Sequence, residues 1–190
     1  MRTIDMSALN ILVADSNQYM LKIIRAMLRG FGIIKIREAT DGAIALEELN
    51  TQLIDLVIVD YALETLSGVE LTELVRDAED SPNRFVPIIM LSAYTEKWRI
   101  EGARDAGISE FLRKPLCARD LYLRLLEVIE RPRDFVRTHR YFGPDRRRQD
   151  LATYSGVERR AINLSADMDA ETFSGGDDMG AADLVAQLFD

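Results

Sequence analysis

Over its first 130 residues the chain alternates between short unbroken apolar runs and stretches whose apolar residues recur with helical spacing. The runs are Asn10–Ala14, Asp55–Asp60, Val86–Leu91 and Glu110–Arg113, with Ile33–Arg37 a weaker fifth. Apolar side chains at successive positions leave a strand no wet face, the pattern of a parallel sheet covered on both sides. Between the runs, Met20, Ile23, Ile24, Met27 and Leu28 follow the i, i+3, i+4, i+7 rule. So do Leu71, Leu74 and Val75, and later Leu121, Leu125, Val128 and Ile129. Gly30 and Gly32 close the first helical pattern, and Gly107 closes a later one. Five strands alternating with five helices predict a layered α/β domain with right-handed crossovers.

Composition narrows the function. Apolar residues make up 47% of the chain, enough for a core, and the net charge of -8 argues against nonspecific nucleic-acid binding by the whole protein. His139 is the single histidine and Cys117 the single cysteine, which removes His-based metal clusters, Ser–His–Asp triads and internal disulfides. No apolar run approaches the length needed to span a bilayer, and no secretory leader pattern opens the chain. The expected setting is the cytoplasm.

In a parallel α/β sheet, functional groups collect at the carboxyl ends of the strands. Here those ends are Asp15-Ser16, Asp60, Ser92-Ala93 and Lys114-Pro115. Two carboxylates suit Mg²⁺, a hard cation that takes oxygen ligands. A phosphoryl group bound beside them could be neutralised by the metal and Lys114, with the Ser92 hydroxyl donating to a phosphoryl oxygen.

These groups sit in five ordered segments: Ile11–Asp15, Asp55–Asp60, Ser67–Leu71, Pro87–Ala93 and Phe111–Pro115. In that order and spacing, residues 8–131 resemble the CheY-like receivers of response regulators in two-component systems. The resemblance implies a doubly wound, flavodoxin-like sheet of strand order 2-1-3-4-5. It implies a non-enzymatic phosphorelay module in which Asp60 accepts phosphate from a histidine kinase or phosphotransfer protein. Asp15, Asp60 and the Ala62 backbone carbonyl would hold Mg²⁺. Ser92 and Phe111 would act as the switch pair, and Lys114 would partner the acyl phosphate. Output would pass to a protein partner through the face formed by helix four, strand five and helix five. One departure stands out: receivers usually end strand one with two acids, and Ser16 occupies the second place. Ser16 is thus a candidate but poorer metal ligand. Glu64, where proline is common, offers a nearby carboxylate.

Beyond Pro132 the periodicity fades, which predicts a largely irregular C-terminal tail over 132–190. Residues 133–160 hold eight Arg against four acids, and residues 161–190 hold seven acids and no base. Residues 161–180 read as disordered, and 181–189 as a short amphipathic helix carrying Leu184, Val185, Leu188 and Phe189. A pattern Tyr-x-Gly-x-acid-Arg-Arg occurs twice, at Tyr141–Arg147 and Tyr154–Arg160. Arg interleaved with Tyr and Phe is the texture of single-stranded nucleic-acid binders, but the local charge is modest and no helix-turn-helix or RNA-binding motif accompanies it. Contact with the chain's own acidic receiver or acidic end is the favoured role, with partner docking a further possibility. A pseudo-receiver that keeps the fold and has lost phosphate chemistry is the rival reading, supported by Ser16.

Because affinity for such cations follows ligand charge, Ser16→Asp is expected to tighten Mg²⁺ binding roughly tenfold or more, about 1.4 kcal/mol. Titration followed by NMR measures this; equal affinities would mean that another group already supplies the missing charge.

Overall fold

The computed structural model describes residues 6–79, 81–139 and 141–146. The chain runs β1 (Asn10–Ala14), α1 (Gln18–Gly30), β2 (Lys35–Ala39), α2 (Gly42–Thr51), β3 (Leu56–Asp60) and α3 (Gly68–Asp77). It continues through β4 (Ile88–Ser92), α4 (Lys97–Ala106), β5 (Glu110–Arg113) and α5 (Ala118–Glu130) to a hairpin of β6 (Phe135–Thr138) and β7 (Tyr141–Pro144). The first five strands form one parallel sheet in the order β2-β1-β3-β4-β5, as the resemblance implied.

Period-two alternation sorts the strand residues between two cores. Leu12, Ala14, Val57, Val59, Ile88 and Met90 pack with Ala45 and Leu49 of α2, Leu71 and Val75 of α3, and Ala103 of α4. Ile11, Val13, Leu56, Ile58, Ile89 and Leu91 pack with Leu21, Ile24 and Leu28 of α1 and Leu121, Leu125 and Val128 of α5. Each fully buried Leu, Ile or Val contributes about 1.5–3 kcal/mol relative to exposure. Both faces of the sheet are therefore dry, which is why its strands read as continuous apolar runs.

β2 begins two residues later than the apolar pattern 33–37 suggested. Gly32, at φ +89, turns the chain, and Ile33 drops into the α1/α5 core as a fully buried loop residue. β2 itself is an edge strand paired only with β1, so its Lys35, Ile36 and Arg37 need not be apolar.

The irregular tail drawn from residue 132 holds structure at its start. Phe135–Thr138 and Tyr141–Pro144 pair antiparallel, with Val136 opposite Gly143. Phe135 and Phe142 join Phe85 in a three-ring cluster, with centroids 5.1 to 5.6 Å apart. The Arg84 guanidinium lies 4.2 Å from the Phe142 centroid, and Arg76 lies 4.9 Å from that of Phe135. The first copy of the Tyr-x-Gly-x-acid-Arg-Arg pattern is the second strand and its exit. Tyr141 donates its hydroxyl hydrogen to the Pro144 carbonyl, and Arg146 stacks on the Tyr141 ring while pairing with Asp105 at 2.7 Å. At Gly143 any side chain would collide with Tyr141 and with Gly107, the left-handed C-cap of α4. Glycine ordinarily weakens a strand interior; here the close approach of Tyr141 and Gly107 is what requires it. The second copy, the acidic stretch 161–180 and the short helix 181–189 lie outside the described residues.

Arg76 anchors the hairpin's seat. Its side chain is 2% exposed and donates to the carbonyls of Gly107 (3.2 Å), Arg84 (2.6 Å) and Val86 (2.7 Å). Burial pushes its pKa down to about 10. The Arg133 guanidinium similarly meets the buried Glu110 carboxylate, which also receives Arg124 at 3.2 Å.

Every residue of the two apolar clusters precedes Arg131, so a chain ending there is expected to fold. Loss of the charged hydrogen bond from Arg133 to buried Glu110 should cost it about 2 kcal/mol relative to a chain ending at Arg146. Urea denaturation of the two chains measures the difference; equal stabilities would show that the hairpin adds nothing to the domain.

Candidate functional site

The register of the sheet sets the site. β1 and β3 are neighbours, so Asp15 and Asp60 emerge at the same carboxyl edge, one from each strand. Lys114 follows β5, and its ammonium bridges them: Nζ lies 2.7 Å from Asp15 Oδ2 and 2.9 Å from Asp60 Oδ1. All three side chains are largely withdrawn from solvent. Asp15 Oδ1 accepts from the Asn17 N–H at 2.8 Å, so both of its oxygens are engaged. The Lys114-Pro115 peptide is cis.

Burial pushes the Asp60 carboxyl above its ordinary range, against the opposing pull of Lys114 and with help from the neighbouring Asp15 charge. Burial pulls Lys114 down, but its hydrogen bonds to Asp15 and Asp60 outweigh that and hold it above the usual lysine value. The ammonium is thus a fixed positive charge between two carboxylates.

Ser92 ends β4 beside Asp60 and is 1% exposed. Its Oγ accepts from the Tyr94 N–H at 3.0 Å, and its carbonyl accepts from the Lys114 N–H at 2.8 Å. Ser92 therefore shapes the turn after β4, and the α4 N-cap is Glu96. Phe111, on β5, is half-buried against the α2–α4 core. Ala62 lies in the exposed part of the loop after β3. Asn17, rather than Ser16, caps α1, its Oδ1 accepting from the N–H groups of Tyr19 and Met20. Cys117 precedes α5, exposed and without a capping bond.

Sequence reasoning missed three supports. Ser67 and Glu70 form a reciprocal capping box that starts α3, a Ser-x-x-Glu signal legible in the chain. Gly68 lets that helix start close against Asp60, because a side chain there would overlap the Asp60 carbonyl. Arg99 of α4 lies among the rings of Tyr61, Tyr94 and Trp98, 4.4 to 5.4 Å from their centroids.

The donor set fits a divalent cation, since two buried carboxylates already converge on one positive charge. Asp15 and Asp60 are the carboxylates that would hold it. Among the described residues no group of three or more His, Cys, Asp or Glu is placed to bind a metal, so any such ion would lean on backbone and water. No helix among these residues is long and apolar enough to cross a membrane.

A parallel 2-1-3-4-5 sheet with an Asp–Lys–Asp bridge at its carboxyl edge defines a class, and comparison agrees. Residues 11–126 match the response regulator receiver domain, and the chain belongs to that family. It is 29% identical over 123 residues to the chemotaxis protein CheY of Pseudomonas aeruginosa, covering 65% of this chain and 98% of that protein. The chemotaxis protein CheY-3 of Vibrio cholerae is also 29% identical over 123 residues, covering 65% and 93%. Among solved structures, the receiver domain of a sensor histidine kinase from Pseudomonas aeruginosa PAO1 superposes with a TM-score of 0.59 at 30% identity. That match covers 64% of this chain and 98% of that one, whose active-site cleft coordinates a magnesium ion.

Lys114→Met removes the shared cation and leaves two carboxylates facing each other. The variant is expected to lose about 3 kcal/mol or more at neutral pH. Asp60, with its folded pKa raised further above the unfolded value, then favours folding only while protonated. The deficit should therefore shrink as pH falls through that raised pKa and grow as pH rises through it. Millimolar Mg²⁺ should also shrink it. Thermal melts across pH and Mg²⁺ concentration measure both; a deficit insensitive to either would dissociate Lys114 from the carboxylates.

Proposed function

We propose that the domain, residues 8–131, accepts a phosphoryl group on Asp60 from a histidine kinase or phosphotransfer protein and signals by contact with a downstream protein. The observation that carries this reading is the bridge from Lys114 to Asp60 and Asp15, with the Ser92 hydroxyl at the end of the adjoining strand. An Asp60 oxygen attacks phosphorus, the P–N bond to the donor histidine breaks, and an acyl phosphate forms. The leaving imidazole keeps the bond's electron pair and takes a proton from solvent. Because burial raises its basicity, Asp60 is a better nucleophile than a solvated aspartate. Transfer spreads charge over the phosphoryl oxygens, and Lys114 stands ready beside them.

Mg²⁺, when bound by Asp15, Asp60 and the Ala62 carbonyl, would supply the remaining neutralisation. Ser92, whose oxygen accepts from Tyr94 N–H, keeps its own hydrogen free to donate to the phosphoryl group. That new bond would compete with the present turn, giving the two-state change a local cause. Phe111, on β5 ahead of Lys114, would follow by repacking at the face formed by α4, β5 and α5.

Asp60→Asn is expected to abolish labelling by acetyl phosphate or a phosphorylated kinase in the presence of Mg²⁺. Intact mass spectrometry counts the added phosphate. Labelling at full stoichiometry in the variant would refute the assignment, and no labelling of the parent would favour the pseudo-receiver.

A further inference from the structure

Ser16 stands where the metal-binding reading wants a second acid, and its geometry gives it a different task. Its Oγ accepts the Glu64 N–H at 3.1 Å, joining loops 48 residues apart in sequence. The same Glu64 residue accepts at its carbonyl from the Gly42 N–H at 3.1 Å, at the start of α2. The Leu66 N–H turns back to that carbonyl at 2.7 Å, and Thr65 between them sits at φ 66, a left-handed conformation costly for a non-glycine residue. Gly42 is covered by Leu66 so closely that a side chain there would overlap the Leu66 backbone. Upstream, the Tyr61 N–H donates to Leu91 and the Tyr61 carbonyl accepts from Gly68. Leu63 is buried in the α2–α4 core.

The segment from Tyr61 to Gly68 is thus tied on every side, and Glu64 is the point where the β1–α1 loop and the start of α2 both grip it. The β1–α1 grip depends on one side-chain oxygen, that of Ser16. Ser16 is itself aimed by its neighbours, because the Asp15 carboxylate accepts the Asn17 N–H and closes the turn around it.

We propose that Ser16 is a positioning residue: its hydroxyl clamps the loop that follows Asp60 and thereby presets the Ala62 carbonyl for a divalent cation. The proposal rests on the phosphoacceptor reading of the site and deepens it. A carboxylate at this position would add charge to the cation site. Serine instead spends its oxygen on holding a neutral ligand in place, so that preorganisation replaces part of the missing charge. Such a site depends on loop order to a degree that a three-acid site does not.

The test compares the full chain with Ser16→Ala and Ser16→Thr, without any phosphodonor. In metal-free protein, Ser16→Ala should speed amide exchange at Glu64 about fivefold or more, the equivalent of one net hydrogen bond, while amides of β1 and β3 stay as protected as in the parent. Its Mg²⁺ affinity, followed by NMR, should fall by a similar factor. Ser16→Thr, which keeps the hydroxyl, should restore both. Unchanged exchange at Glu64 in Ser16→Ala overturns the clamp. Faster exchange with unchanged Mg²⁺ affinity overturns the positioning role, and a threonine variant that behaves like alanine overturns the assignment to the hydroxyl. Failure of Asp60 to take phosphate would count against the proposed function and leave these readouts standing.

Discussion

Adjacent parallel strands deliver Asp15 and Asp60 to one buried edge, and the fold must then do something about two like charges placed side by side. At an effective dielectric constant near 20, unit charges about 5 Å apart repel by about 3 kcal/mol. The Lys114 ammonium converts that repulsion into two attractions. It has to reach both from β5, past the intervening end of β4, and the chain there is the small pair Ser92-Ala93. Small residues at that strand end are as much a requirement of the bridge as the lysine itself. The bridge also joins β1, β3 and β5 through their side chains, independently of the backbone ladder. A cation or a phosphoryl group arriving at this edge must renegotiate contacts that three strands share.

Much of this was legible in the chain because the governing signals are local and periodic. Two-sided burial wrote the central strands as apolar runs, and strand ends then pointed to Asp15, Asp60, Ser92 and Lys114. β2 was misplaced by two residues because an edge strand needs few apolar positions, while the truly buried Ile33 belongs to a loop. The hairpin escaped because its apolar content is too thin for a pattern: Phe135 and Phe142 pack on each other and on Phe85, Arg76 and Arg84, residues far earlier in the chain. Arg76 reads as a surface charge in the helical pattern of α3, and it is the carbonyls of Arg84, Val86 and the distant Gly107 that make its burial tolerable. Ser16 could be recognised as unusual, but not as the acceptor for Glu64. A side chain bonded across loops leaves no spacing rule in the sequence, whereas a capping box does.

The two edges of the sheet solve opposite electrostatic problems. At the carboxyl edge, acids are gathered around a cation. At the amino edge, the buried cation Arg76 is surrounded by backbone dipoles and the buried acid Glu110 is met by two guanidinium groups. Both Arg76 and Glu110 are almost wholly buried, which suits a foundation rather than a switch.

The hairpin also changes where the chain leaves the domain. A receiver ending with α5 would release its continuation at Glu130, at the foot of that helix. Here the path doubles back through β6 and β7 and is tied by Arg146 to Asp105, in the last turn of α4. The exit is thereby moved from one helix to another. Arg146, the last described residue, is held beside the last turn of α4 and not at the end of α5.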